Sequence, residues 1–254
     1  MIDKILASFD GAVGDVPDGA TVHVGGFSRA NDTPSYLISA LARKPVRRMT
    51  VITTMAGRGV RRMEARREEI ASMLRLPVDL VDAGLLSEER LIAKLITTFP
   101  ATARVGSPGP FEPLLESGEA EVELIGQGSL AERIRCARAG IAAFFTPVGA
   151  GTFVAEDKEV RDFNGVPHVL ETALPADFAV IRAHRADRYG NLVYRGAPTF
   201  NATMAGAARI TIAEVDEIVP LGDLRPEEIV TPGVYVQRVV ERPREPRANW
   251  RDPC

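Results

Sequence analysis

Short β-type runs that end in glycine and give way to helical spacing recur through the first half of the chain. This alternation restricts the possible fold more than any other feature. The sharpest case is Thr21-Val22-His23-Val24-Gly25-Gly26-Phe27, which opens after the turn signal Pro17-Asp18-Gly19. After the loop Ser28-Arg29-Ala30-Asn31-Asp32, Thr33 suits an N-cap and Pro34 a first helical turn, where a missing N–H costs nothing. Tyr36, Leu37, Ile38, Ala40 and Leu41 then follow at helical spacing. The unit reads strand, glycine turn, loop, helix. Glycine in such a turn can take φ > 0 and let a ligand approach bare backbone. The N–H groups of the turn and of the following helix terminus would then point at an anion or a polarised carbonyl. A turn that needs glycine for sterics alone is the plainer reading. The G-x-G-x-x-G spacing of a dinucleotide site is absent.

The pattern continues along the chain. Ile2 to Val13 is expected to form a short amphipathic helix, with Ile2, Ile5, Leu6 and Phe9 on one face. Met49 to Thr53 is a second β-run, ending at Ala56-Gly57. Arg58 to Leu76 reads as a basic surface helix stopped by Pro77, and Val78 to Asp82 as a third strand. Ser87 is placed to cap a helix over Glu88 to Thr97. A β-run at Ala103 to Gly106 and a short helix over Phe111 to Ser117 follow. Glu121 to Ile125 alternates as a half-buried strand, and Gly126-Gln127-Gly128 turns it into a helix from Ser129 to Ala139, closed by Gly140. Ile141 to Phe145 is expected as a wholly apolar, buried strand. Such alternation argues a parallel sheet covered on both faces.

Beyond Thr146-Pro147-Val148-Gly149-Ala150-Gly151-Thr152 the character changes. Val160 to Phe163 and Val166 to Glu171 read as a hairpin around Asn164-Gly165. Phe178 to Ala186 is another strand, Tyr189-Gly190-Asn191 a turn into Leu192-Val193-Tyr194, Phe200 to Ala208 a small-residue helix, and Arg209 to Val215 a final strand. No Ser/Gly-rich linker divides the chain, so residues 1–242 are expected as one domain with a mixed C-terminal part. A Pro/Arg-rich tail, 243–254, is either frayed or laid across a neighbour.

Composition narrows the function classes. At 254 residues, with 45% hydrophobic and 26% charged residues, the chain has ordinary soluble-globular content. A net charge of −3 gives no pull toward nucleic acid or an anionic membrane. No apolar run approaches the ~20 residues of a membrane span, and no secretory leader is evident, so the expected location is cytoplasmic. Cys136 and Cys254, the two cysteines, form neither zinc spacing nor a redox pair. His23, His168 and His184 show no metal-ligand spacing, and no metal is expected.

Several blocks together resemble a known family. Asp18-Gly19, Val24-Gly25-Gly26-Phe27 and Pro34-x-x-Leu37-Ile38-x-Ala40-Leu41 are similar to the amino-terminal signature of family I CoA-transferases, in their alpha subunit. Gly128-Ser129-Leu130-Ala131-Glu132-Arg133-Ile134-Arg135, Phe145-Thr146-Pro147-x-Gly149-x-Gly151-Thr152, Ala173-Leu174-x-Ala176-Asp177, Ala186-Asp187-x-x-Gly190-Asn191-Leu192-x-Tyr194-Arg195 and Ile212-x-Glu214-Val215 follow in the same order. The chain departs from the family at Thr53-Thr54-Met55-Ala56-Gly57, at Pro198-Thr199-Phe200-Asn201-Ala202 and in the loop after Phe27, which has one residue more and lacks a glycine.

The resemblance implies a Rossmann-like α/β sheet of the ribose-phosphate-isomerase and CoA-transferase type. It also implies coenzyme A as a substrate, exchanged between an acyl-CoA and a carboxylic acid. In the family, a glutamate attacks the thioester and a glutamyl-CoA intermediate forms. That glutamate normally lies in a beta-type subunit. The matching motif is absent here, and Ser87-Glu88-Glu89-Arg90 shares only its first two letters. The implied assembly is α2β2, with no catalytic nucleophile in this chain. Because ligands of open parallel sheets bind beyond the carboxyl ends of the strands, the expected CoA and substrate contacts are Gly25, Gly26, Phe27, Ser28, Arg29, Ala30, Asn31, Thr53, Thr54, Met55 and Gly57. Thr54-Met55, in place of paired asparagines, points to a bulkier, more apolar acyl group than acetyl or succinyl. A ring-opening acyl-CoA hydrolase on the same scaffold and a non-catalytic ligand-binding module are the alternatives.

Overall fold

The structure is a computed structural model and describes residues 2–27, 32–60, 81–101, 108–244 and 250–251. Its centre is β1 (Thr21–Val24), flanked on both sides by parallel strands. On one side lie β2 (Met49–Ile52), β3 (Ile92–Thr97) and β4 (Glu121–Leu124). On the other lie β8 (Ala176–Ala186), β10 (Ala208–Ile218) and β11 (Arg238–Glu241), also parallel. The short β9 (Leu192–Val193) pairs antiparallel with the end of β8. The strand order is therefore β11-β10-β8-β1-β2-β3-β4. The chain winds outward from β1 to β4, then returns to lay β8 beside β1 and winds out the other way. The place where the direction reverses, between β1 and β8, is where open α/β sheets leave a crevice at the carboxyl ends of their strands.

Both faces of the sheet are covered, because inner strands of this kind point apolar side chains both ways. Val22, Val24, Phe178, Val180 and Ile212 face one core, packed by Phe9 of α1 (Phe9–Ala12), by Tyr36, Leu37 and Leu41 of α2 (Ser35–Arg43), and by Leu85 and Leu86 of α3 (Gly84–Glu88). Ile52, Ile96, Ala179, Ile181, Ala213 and Val215 face the other. There they meet Leu130 and Ile134 of α5 (Gln127–Ala139) and Met204 of α6 (Asn201–Met204). Between β3 and β4, α4 (Glu112–Glu116) buries Leu114. α5 ends at Gly140, which is left-handed (φ 72) as the sequence pattern requires, and Cys136 is buried within it.

A separate antiparallel sheet of β5 (Ala143–Thr146), β6 (Val160–Phe163) and β7 (Val166–Thr172) projects between α5 and β8. Asn164 and Gly165 take φ 56 and 81 at its tight turn, as the Asn-Gly signal anticipates.

Five expectations are corrected. The helix placed at Glu88–Thr97 is instead α3 followed by β3. Arg90 (φ 53) breaks the helix, and Ile92, Ile96 and Thr97 are β-branched residues in an inner-strand slot between β2 and β4. The helix over Ile2–Val13 shrinks to α1, because Ser8 caps at Phe9. The residues before it run along the edge of β11, where Leu6 donates to the Val239 carbonyl at 2.9 Å. The run at Ile141–Phe145 joins the small sheet half-exposed rather than the central sheet buried. The helix over Phe200–Ala208 is confined to α6, since Ala208 already belongs to β10. The tail is not frayed at Trp250, which is buried against this chain and whose carbonyl accepts from Arg43 at 2.7 Å.

The runs at Ala103–Gly106 and, beyond residue 60, Arg58–Leu76 lie outside the described residues. So does the run at Val78–Asp82, apart from Val81 and Asp82, which are loop.

Candidate active site

β1 stops at Val24 opposite Val180, whereas β8 continues to Ala186. The rest of β8, with β10 beside it, stands as a wall above the end of β1. Gly25 donates its N–H to the Val180 carbonyl at 2.9 Å, and its Cα lies against Asn201 of α6. A Cβ on Gly25 would fall 2.0 Å from Asn201 Oδ1. Gly26 has φ +93, and a Cβ there would fall 2.5 Å from the Asp32 carbonyl oxygen. Both glycines are thus required by protein atoms that crowd them, before any ligand is considered.

The helix after this turn differs from the expectation in two ways. Pro34, not Thr33, occupies the N-cap position, and no side chain of that residue caps the helix. Glu214 of β10 does so instead: its Oε2 accepts the N–H groups of Tyr36 at 2.8 Å and Leu37 at 3.1 Å. Those donors are therefore taken by the protein and do not point at a ligand. Glu214 is fully buried. Its Oε1 lies 3.2 Å from Arg182 and 3.2 Å from Arg242. Burial pushes its carboxyl above the ordinary range, opposed by the two guanidinium groups and the helix N–H donors.

The residues after β2 divide by role. Thr54 is fully buried and donates its hydroxyl to the Gly26 carbonyl at 2.8 Å. Thr53 and Met55 join Gly25, Gly26, Thr33 and Asp82 around a cavity of ≈ 10 Å³, about the room of one water. Gly57 (φ +90) is packed on Gly84, where a Cβ would fall 2.2 Å from the Gly84 nitrogen. The loop there is wound round Asp82, whose carboxylate accepts from the backbone N–H groups of Arg58, Gly59 and Gly84. Ser28, Arg29, Ala30 and Asn31 lie outside the described residues.

Space for a ligand lies next to this turn. Phe27, Gln127, Thr199 and Phe200 line an open groove of ≈ 500 Å³. An adjoining groove of ≈ 400 Å³ runs on along Gly128, Ala131 and Thr203. Phe27 stacks edge-on against the half-exposed Phe99 at 6.2 Å, and Met55 bridges to Phe99 through the backbone. The groove passes the start of α5, whose N-cap is Gly126 and which no side chain caps. The region around Gly128 is open, with no atom within 4 Å of an added Cβ.

The sequence pattern puts Gln127 and Gly128 in a strand-to-helix turn and Thr199, Phe200 and Asn201 in a divergent block, and assigns none of them to the site. The clue it does hold is the position of Gly126-Gln127-Gly128 at the carboxyl end of a strand.

His23 lies beneath the turn, buried, with Nε2 donating to the Leu174 carbonyl at 2.9 Å. Burial lowers its pKa to about 4, so it is neutral at pH 7 and serves the core. Among the described residues, no group of three or more His, Cys, Asp or Glu could hold a metal ion, and no helix is long and apolar enough to cross a membrane.

A doubly wound sheet with an open groove at its topological switch point suits a ligand-binding enzyme of the Rossmann-like class. Similarity to known proteins names the class: residues 6–242 match the coenzyme A transferase family model, and the chain belongs to that family. It is 43% identical to the alpha subunit of the 3-oxoadipate CoA-transferase of Pseudomonas putida, over 94% of each chain. It is 38% identical to the alpha subunit of the succinyl-CoA:3-ketoacid coenzyme A transferase of Helicobacter pylori J99, over 94% of this chain and 92% of that one. Among solved structures, the acyl-CoA transferase of Escherichia coli O157:H7 in a thioester complex with CoA superposes with a TM-score of 0.77 at 21% identity. That likeness covers 96% of this chain and 48% of the E. coli chain, so this chain spans about half its length. Glutaconate coenzyme A-transferase from Acidaminococcus fermentans gives a TM-score of 0.75 at 18% identity, over 94% of this chain and 76% of that one. The protein is accordingly a CoA-transferase, with coenzyme A as a substrate.

Proposed function

We propose that this chain is the non-nucleophilic subunit of a two-chain enzyme that moves CoA between an acyl-CoA and a carboxylic acid. The observation that carries this reading is the chemistry of the groove. Phe27, Gln127, Gly128, Ala131, Thr199, Phe200 and Thr203 line it, and none of these is a carboxylate. The carboxylates nearby are engaged: Asp82 by backbone N–H groups, and Glu214 by α2 and two arginines. A transferase that works through an acyl-glutamyl anhydride needs a free carboxylate at the thioester, so a partner supplies it. The relatives, named as one subunit of a larger enzyme, support the same division of labour.

In this scheme the partner's glutamate attacks the thioester carbonyl and expels CoA thiolate, leaving the acyl group as an anhydride. The thiolate then attacks the glutamyl carbonyl, releases the donor acid and forms glutamyl-CoA. The acceptor carboxylate reverses the sequence and leaves as the new acyl-CoA. This chain contributes binding. Phe27, Phe99 and Met55 form an apolar rim for the acyl chain, and the uncapped start of α5 with Gln127 offers donors to a carbonyl or carboxylate oxygen.

Gly25, Gly26, Phe27, Ser28, Arg29, Ala30, Asn31, Thr53, Thr54, Met55 and Gly57 form the neck, loop and floor of the site in this reading. Residues 1–242 act as one domain, the assembly is α2β2, and the location is cytoplasmic. The relatives' names make 3-oxo acids the acceptors to test first, and the apolar rim favours acyl chains longer than acetyl.

The test is intact-mass analysis of the reconstituted pair, incubated with acyl-CoA and no acceptor acid. The expected result is a CoA adduct on the partner and none on this chain, and no turnover by this chain alone. An adduct on this chain, or robust activity without the partner, overturns the proposal.

A further inference from the structure

Ten residues separate the end of β1 from the start of α2, and the two ends of that connection touch each other. On the β1 side, Thr54 donates to the Gly26 carbonyl at 2.8 Å. On the α2 side, Asn201 Nδ2 donates to the Asp32 carbonyl at 2.9 Å, while its Oδ1 accepts the Arg182 N–H at 3.0 Å. Gly26 lies directly against Asp32 and Thr33, where a Cβ would fall 2.5 and 3.0 Å from their backbone atoms. Thr54 and Asn201 are both fully buried. The result is a narrow neck fastened from β2 on one side and from α6 and β8 on the other. Phe27, the first residue past the neck, lines the groove.

We propose that Thr54 and Asn201 are positioning residues that hold this neck closed and, through it, hold Phe27 and the loop that follows in place for the CoA ester. Neither side chain lines the groove; each acts through a backbone carbonyl of the connection. The inference rests on the placing of the CoA ester in the groove proposed above. Loosening the neck weakens ground state and transition state alike, because the loop holds the ester and not the reacting atoms, so the loss falls on KM and not on kcat. It also assigns Thr54 a role different from a direct contact with the acyl group.

The test uses the complete enzyme with its partner. Thr54→Val removes the hydroxyl and keeps the shape, and Thr54→Ser keeps the hydroxyl. Asn201→Asp removes the donor to Asp32 and keeps an oxygen for the Arg182 N–H, and Gly26→Ala damages the neck directly. Thr54→Val and Asn201→Asp are expected to raise KM for acyl-CoA about tenfold, with kcat within about twofold and faster hydrogen exchange in the peptide spanning residues 26–35. Thr54→Ser should stay near the parent enzyme, which a purely volume-filling role at this position does not explain.

If Gly26→Ala raises KM while Thr54→Val and Asn201→Asp do not, the neck is held by other means and the proposal fails. Thr54→Ser behaving like Thr54→Val also overturns it. If Gly26→Ala leaves KM unchanged, the placing of the CoA ester beside this loop falls first. Should Asn201→Asp not assemble with the partner, the Thr54 pair still decides.

Discussion

Two glycine turns stand side by side at the carboxyl edge of the sheet, and they do opposite things. After β1, Gly25 and Gly26 are crowded by Asn201 and Asp32, and the helix that follows has its N-terminus filled by Glu214. After β4, Gly128 has open space around it, and α5 begins beside the groove with no side chain capping it. Both read alike as strand, glycine, helix. Only the second leaves backbone free for a ligand, whereas the first uses its glycines to close a neck. The same local signal therefore carries a structural role in one place and a binding role in the other, and the difference is set by what tertiary neighbours occupy the space.

The contrast depends most heavily on Glu214. Glu214→Ala leaves Arg182 buried without this partner and strips the Tyr36 and Leu37 N–H groups of their acceptor. A loss of about 3–5 kcal/mol in unfolding free energy is expected from denaturant titration. A loss below about 1 kcal/mol means that α2 is not capped as described. The turns would then differ less than the geometry states.

Acid should also weaken the first turn selectively, through His23. Its folded-state pKa of about 4 lies below the ordinary value of 6.5, so the unfolded chain binds the proton first. The stability it contributes is present above pH 6.5 and drains away as pH falls toward 4, by roughly 3 kcal/mol in all. His23→Gln should flatten that part of the pH dependence between pH 7 and 4.5. An unchanged slope would show that the proton is taken up elsewhere.

The glycines themselves sharpen the contrast. Gly26→Ala, at φ +93 and in contact with Asp32, should cost about 1–3 kcal/mol of stability. Gly128→Ala, in the first turn of α5 with room for a methyl group, should change stability by less than about 1 kcal/mol, in the favourable direction. Thermal melts of the two variants, run together, read this difference. Equal losses would erase it.

The smallest effect on stability should come with a clear effect on binding. Gln127→Ala is expected to leave Tm unmoved while weakening acyl-CoA binding by the assembled enzyme about tenfold, roughly the worth of one hydrogen bond that is lost on truncation. Titration calorimetry measures it, and an unchanged affinity would remove Gln127 from the contacts that matter.

Much of the fold is legible from local pattern. The β1 unit, the helix ending at Gly140, the Asn164-Gly165 hairpin and the strands β8 and β10 each carry a signal that local chemistry enforces: a left-handed glycine, a tight turn, or a run of apolar residues at one period. The misreadings fall where a local pattern fits two structures. Leu91-Ile92-Ala93-Lys94-Leu95-Ile96 can be spaced for a helix, and becomes β3 because β2 and β4 need a strand between them. Ile141 to Phe145 is apolar enough for an inner strand, yet pairs with β7 in the small sheet instead.

Periodicity, turn chemistry and motif order are properties of neighbouring residues. They are enough to specify the alternating α/β architecture, the family and the end of the sheet at which the site lies. They do not specify which glycine turn stays open, that Glu214 of β10 caps a helix 178 residues earlier, or that Thr54 faces the Gly26 carbonyl. Those outcomes depend on contacts between residues far apart in the chain, where a side chain's partner is chosen by which strands lie next to each other and not by what surrounds it in sequence.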